Sequence, residues 1–313
     1  MKKIDLVTGF LGSGKTTFIR KYAGYLMDKG YKVGILENDF GAVNVDMMLL
    51  QDLVGDKCDL EMVAGGCDAD CHKRRFKTKL IALGMQDFDR IIVEPSGIFD
   101  LDEFFDTLRE APLDRWYQIG SVISVVDAGL EDDLSKQAEY VLASETACAG
   151  MIVLSKTGSV SEDKIADTIA HLNRSLENVK CKRKISSEVI RKVWTEFTDE
   201  DFQDIMDSGY KSESFEKLDF DQRDIFNTVY LMNYKFTEES LCQTVKNIMQ
   251  DTACGNVLRI KGFAQLEKDK WTELNATKQN ISVKPIEKGQ EVLIVIGENL
   301  DEEKIKYYAE NVT

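Results

Sequence analysis

The amino-acid sequence predicts an α/β protein, a mostly parallel sheet flanked by helices, with a smaller α+β domain at its C-terminal side. Short apolar runs alternate with helical periodicity up to about residue 205, the pattern changes after a polar, charged stretch near 209–223, and a glycine-rich turn directly follows the first apolar run. Such alternation predicts parallel strands, because each helix carries the chain back across the sheet before the next strand begins.

Residues 3–7 read as the first strand, and Phe18, Ile19, Tyr22 and Leu26 then recur at the spacing of a helix with one apolar stripe. Further strands are expected at 32–37, 58–63, 90–94, 121–127 and 151–155. Beyond the charged stretch, 227–234, 256–265 and 291–297 read as strands. A helix is expected at 238–251, with Leu241, Val245, Ile248 and Met249 on one side, and another at 301–310. The expected division is a nucleotide-binding domain at 1–208, a linker at 209–224 and an α+β domain at 225–313.

The turn after the first strand, Gly9-Phe-Leu-Gly12-Ser13-Gly14-Lys15-Thr16-Thr17, satisfies Gly-x4-Gly-Lys-Thr. Its glycines let successive N–H groups face phosphate oxygens, Lys15 reaches the terminal phosphates, and Thr16 offers a hydroxyl to Mg²⁺. The expected sheet is therefore that of a P-loop NTPase. Glu94, ending the run Arg90-Ile-Ile-Val, and Gly97 three residues later have the spacing of an acid near Mg²⁺ and a glycine near the γ-phosphate. A capping role for Glu94 is the alternative. Glu37 and Asp39, in Glu37-Asn-Asp39-Phe-Gly41, could each hold a metal-bound water or orient the attacking one, and the sequence leaves both open. Lys15, Asp39 and Glu94 are the candidate catalytic residues.

The formal charge of −15 argues against nonspecific binding to nucleic acid or anionic membranes. No apolar run approaches the roughly 20 residues of a membrane span. Seven cysteines, an odd number, fit reduced thiols better than a disulfide framework, and a cytoplasmic protein is expected.

In its motifs the chain resembles the CobW-type members of the CobW/HypB/UreG family of P-loop GTPases. The resemblance rests on Gly9–Thr17, Glu37-Asn-Asp-Phe-Gly41 with Asp46, Gly66-Cys67, Val93-Glu-Pro-Ser-Gly97, Val125-Val-Asp-Ala128, Leu258-Arg-Ile-Lys-Gly262 and Val295-Ile-Gly297. It implies a Mg²⁺-dependent GTPase that delivers metal to a client metalloenzyme, with Thr16 and Glu94 at or near Mg²⁺ and 37–46 as a switch. Two departures stand out. The guanine-reading segment is Ser155-Lys156-Thr157-Gly158, without the family's aspartate, so GTP is expected ahead of ATP without ATP being excluded; Glu162 or Asp163 could substitute. The family's thiol cluster is here Cys67-Asp-Ala-Asp70-Cys71-His72, a donor set for Zn²⁺ or another transition metal, with Glu37 as an outside ligand. The same two thiols could instead form a reversible disulfide in a redox or assembly factor. A non-hydrolysing scaffold is disfavoured by Glu37, Asp39 and Glu94.

Lys73, Arg74, Arg75, Lys77 and Lys79 are expected to form a solvated helix face, with Phe76, Leu80 and Leu83 turned inward. Cys58, Cys148, Cys181, Cys242 and Cys254 are expected as small apolar residues, and His171 at the surface. A homodimer is open if 292–296 forms an exposed strand edge.

Overall fold

The computed structural model describes residues 1–39, 45–64, 69–97, 101–217, 226–267 and 270–311. Two compact units separate, Met1–Asp219 and Phe220–Thr313.

In the first unit, seven strands among the described residues form one parallel sheet: β1 (Lys2–Thr8), β2 (Val33–Asp39), β3 (Cys58–Ala64), β4 (Arg90–Pro95), β5 (Tyr117–Asp127), β6 (Met151–Ser155) and β7 (Val189–Ile190), in the order β3-β2-β4-β1-β5-β6-β7. The helices are α1 (Lys15–Asp28), α2 (Val45–Leu50), α3 (Ala69–Met85), α4 (Leu101–Arg109), α5 (Leu113–Trp116), α6 (Lys136–Ala147), α7 (Glu162–Asn178) and α8 (Asp199–Met206). β1 is buried from Ile4 to Thr8 and β4 along its whole length, as parallel strands covered on both faces are, and Ile91, Ile92 and Val93 give β4 an apolar centre. Phe18, Ile19, Tyr22 and Leu26 of α1 pack with Ile35 of β2 and Ile92 of β4 in the core. The order reverses around β1, so the crevice at the carboxyl ends of β1, β4 and β5 is the place where an open sheet of this kind holds its ligand.

A fully buried network fixes the other end of the same strands. Asp5 accepts from Arg90 Nη1 at 2.8 Å, from the Tyr22 hydroxyl at 2.9 Å and from the Ser121 amide at 2.8 Å. Residues 209–217, placed by sequence at the start of a linker, run along this unit: Tyr210 bridges to Ala149, and the Lys211 and Glu216 amides donate to the Cys148 and Val179 carbonyls.

The second unit is a five-stranded antiparallel sheet, β8 (Phe226–Met232), β9 (Asn256–Glu267), β10 (Lys270–Ala276), β11 (Ile281–Ile286) and β12 (Val292–Glu298), in the order β11-β10-β9-β12-β8. Helices α9 (Glu238–Gln250) and α10 (Glu302–Glu310) bury Leu241, Val245 and Ile305 with its strands in one core. β12 pairs on both sides, so residues 292–296 are an interior strand and offer no edge to a second chain.

His171 corrects another expectation. It is 3% exposed, with Nε2 2.5 Å from Glu139 Oε1, because α7 packs on α6 and turns this position inward. Polar neighbours in sequence did not mark an exposed face.

Candidate phosphate and metal site

The loop from Gly9 to Gly14 joins β1 to α1 at the crevice. Gly9 has φ of 147°, and a Cβ there would stand 2.1 Å from the Val125 carbonyl oxygen, so only glycine fits. Lys15 folds back, donating to the Gly9 carbonyl at 2.7 Å. Gly97 closes over the same spot; a Cβ would lie 2.9 Å from the Leu11 amide nitrogen and 3.0 Å from Lys15 Nζ. The structure thus brings Gly9, Lys15 and Gly97 together at the end of β1.

Thr16, at the start of α1, donates from Oγ1 to Glu94 Oε1 at 3.0 Å. Glu37 and Glu94 are register partners on β2 and β4, both buried, and their side chains hydrogen-bond to one another. Burial, with the charge of Asp46, pushes Glu94 up to about 7, against the opposing pull of Lys15, Glu37 and Thr16. Glu94 Oε2 is buried with no hydrogen-bond partner among the described residues. A hydroxyl beside clustered carboxylate oxygens, one of them unsatisfied, fits a hard divalent cation such as Mg²⁺. The Asp39 side chain lies outside the described residues.

At the other side of the loop, Lys156 forms an ion pair with Asp127 and reaches the Gly12 carbonyl at 3.2 Å. The Trp194 ring stands against Gly14 and donates from Nε1 to the Leu154 carbonyl, while Val193 lies beside Gly158. Ser13, Ser124, Ser155 and Thr157 carry buried hydroxyl oxygens without hydrogen-bond partners among the described residues. Unsatisfied polar atoms are rare in folded interiors, and four around one loop mark a surface that a polar ligand would complete.

The thiol segment divides differently. Cys67 and the Asp70 side chain lie outside the described residues. Cys71 is half-buried and lines a cavity of about 490 Å³ with Met62, Val63, Arg74, Arg75, Thr78 and Lys79. His72 is fully buried and its Nε2 lies 2.8 Å from Asn38 Oδ1. Successive helical side chains diverge by about 100°, so Cys71 and His72 leave α3 in different directions. Among the described residues no three His, Cys, Asp or Glu side chains form a ligand group. Phe76, Leu80 and Leu83 are buried as expected, whereas Lys73 and Lys77 pair with Glu110, and Lys79 with Glu61. Burial pushes the thiols of Cys58, Cys148 and Cys254 up to about 11, which suits packing residues; Cys181 is buried and Cys242 half-buried.

Residues 3–187 match the CobW/HypB/UreG nucleotide-binding domain, and 228–308 match the cobalamin synthesis protein cobW C-terminal domain. The chain belongs to the CobW/HypB/UreG family. This CobW-family chain is 31% identical over 179 residues to the zinc chaperone YjiA of Escherichia coli (strain K12), covering 54% of each protein. With the zinc chaperone YeiR of the same organism it shares 30% over 158 residues, 50% of this chain and 47% of that one. The CobW-family chain therefore spans about half the length of these curated relatives. A solved structure, the Zn(II)-bound YjiA GTPase from E. coli, aligns over 100% of this chain and 99% of its own, at 20% identity and a TM-score of 0.40.

Sequence reasoning did not single out Glu145 or Trp194. Glu145, on α6, is fully buried and accepts from Thr8 Oγ1 at 3.2 Å. Its one visible signal was a carboxylate among the small residues of 143–149; Trp194 carried none, since its place depends on packing distant in sequence.

Proposed function

We propose that this CobW-family chain is a Mg²⁺-dependent GTPase whose nucleotide state controls metal capture or client docking, serving as a metal chaperone or insertion factor for a metalloenzyme. The observation that carries the reading is the convergence of Lys15, Gly97, Thr16 and Glu94 at the end of β1 in a chain of this family. Relatives named as zinc chaperones, and one named zinc-regulated GTPase metalloprotein activator 1 in Schizosaccharomyces pombe, support zinc as the cargo.

In this reading Gly9, Gly12, Ser13, Gly14 and Thr17 line the phosphates with backbone N–H groups, and Lys15 exchanges its bond to the Gly9 carbonyl for the terminal phosphates. Thr16 and Glu94, with Glu37 or Asp39, would hold Mg²⁺; the ion, when bound, neutralises charge on the phosphoryl oxygens. Water attacks in line at the γ-phosphorus, and the bond to the β–γ bridging oxygen breaks. Ser155 and Lys156 lie at the base side of the loop, and Gly158 leaves selection between guanine and adenine to weaker contacts. Cys67 and Cys71, with Asp70, are the proposed transition-metal donors. Glu37 and Asp39 precede the thiols on β2, which pairs directly with β3, so loss of the γ-phosphate could reach the metal site over a short path.

The test is an anaerobic Zn²⁺ titration against a competing chelator, without nucleotide, with Mg-GDP, and with a nonhydrolysable Mg-GTP analogue. A tenfold or larger affinity change between nucleotide states, about 1.4 kcal/mol, that vanishes in Cys67→Ser/Cys71→Ser is the expected result. Absence of thiol-dependent Zn²⁺ binding in every state would turn the reading toward a redox or assembly factor.

A further inference from the structure

Glu145 is a carboxyl group that the reaction proposed above does not use, yet it touches the base of the phosphate loop. Its side chain is fully buried. Oε1 accepts from Thr8, the last residue of β1, the Gly9 amide hydrogen-bonds toward the carboxyl, and Lys15 is close enough for its charge to act on it. Oε2 has no hydrogen-bond partner among the described residues, and Glu145 makes no ion pair among them. Other charges near the loop are already engaged: Lys15 donates to the Gly9 carbonyl, Asp127 pairs with Lys156, and Glu94 is bonded to Thr16. From α7, which packs on α6, His171 is directed to Glu139, six residues earlier on α6.

A carboxylate stripped of water, with only the neutral donors of Thr8 and Gly9 beside it and one oxygen unpartnered, is unfavourable by several kcal/mol even with the charge of Lys15 nearby, so the group keeps its proton. We infer that Glu145 is a positioning residue of the nucleotide site, holding the junction of β1 and the phosphate loop at Thr8 and Gly9 in its neutral form, so that the charge of Lys15 is left for phosphate. The inference rests on the nucleotide-site reading given above. Burial, opposed by Lys15, Thr8 and Gly9, pushes Glu145 up to about 8, which places ionisation just above neutrality. Ionisation there sets a negative charge beneath an anion-binding loop and gives Lys15 a competing partner. Nucleotide affinity therefore falls as pH rises through that value, and glutamine, a neutral isostere, removes the dependence.

The experiment measures the Kd of a fluorescent N-methylanthraniloyl GDP with Mg²⁺ between pH 7 and 9, for wild type, Glu145→Gln, Glu145→Ala and Lys15→Ala. Wild-type affinity should fall about fivefold or more across this range and that of Glu145→Gln less than about twofold. At pH 7.5 Glu145→Ala should bind tenfold or more weakly and Glu145→Gln within threefold of wild type. Parallel pH profiles for wild type and Glu145→Gln would overturn the inference even if Glu145→Ala failed to fold. Wild-type binding that needs Lys15 but is unchanged in Glu145→Ala would overturn this inference alone. Absence of nucleotide binding by wild type would overturn the nucleotide-site reading and this inference with it.

Discussion

Thr16 Oγ1 donates to Glu94 Oε1 across 3.0 Å, joining the first residues of α1 to the end of β4. In a Mg²⁺ site the same hydroxyl would turn its lone pair to the cation. Thr16→Val keeps the shape and loses that oxygen, a contact to charge worth about 1.5–3 kcal/mol. The Mg²⁺ concentration giving half-maximal nucleotide binding should rise tenfold or more, roughly what that energy implies. A Mg²⁺ requirement equal to that of wild type would take Thr16 out of the metal site.

By the motif that the chain resembles, Gly158 stands at the position of a guanine-reading aspartate, and a Cβ there would meet only Val193, with Cγ2 at 3.4 Å and Cγ1 at 3.8 Å. Gly158→Asp should therefore be tolerated. Competition between GTP and ATP for the site should shift toward GTP by roughly ten- to a hundredfold, about 1.5–3 kcal/mol. An unchanged ratio would mean that base selection lies elsewhere.

Arg90→Met strands the Asp5 carboxyl inside the protein, beside Tyr22 and the Ser121 amide. Breaking a buried pair from one side costs about 3–5 kcal/mol, to be read from urea unfolding. Asp5→Leu in the same chain removes the orphaned charge and should recover a substantial part. A double variant no more stable than Arg90→Met would show that the polar network, rather than the stranded charge, carries the effect.

Glu145 makes stability depend on pH with a definite sign. The unfolded chain releases this proton near 4.5, whereas the folded one holds it to about 8. Its contribution is full below 4.5 and is lost as pH rises toward 8. Stability of Glu145→Gln relative to wild type should accordingly climb from pH 5 to 8, with a slope approaching about 1.4 kcal/mol per unit. Stability curves that stay parallel would assign an ionised Glu145 to the folded state.

Strands such as Arg90–Pro95 could be read from sequence because their apolar runs report burial on two faces. β10 and β11 escaped notice because Lys270–Ala276 and Ile281–Ile286 alternate or thin their apolar residues, and β11, an edge strand, even carries Pro285. The phosphate loop was legible because its spacing is local: Gly9, Gly14 and Lys15 act within one turn. Glu145, Trp194 and the His72–Asn38 bond were not, since each exists only after segments distant in sequence are folded together. His171 shows the same limit from the other side, as a residue in polar company that packing turned inward.

Asp5 lies four residues before Gly9, about 13 Å away along a strand rising roughly 3.3 Å per residue. The elements it grips through Arg90 and Tyr22 are the ones that present Glu94 and Thr16 at the far side of the sheet. It therefore works as the rivet of a pair of shears, and play at the rivet is magnified at the tips. A substitution there, touching neither phosphate nor metal, would surface in assays as weakened affinity for both.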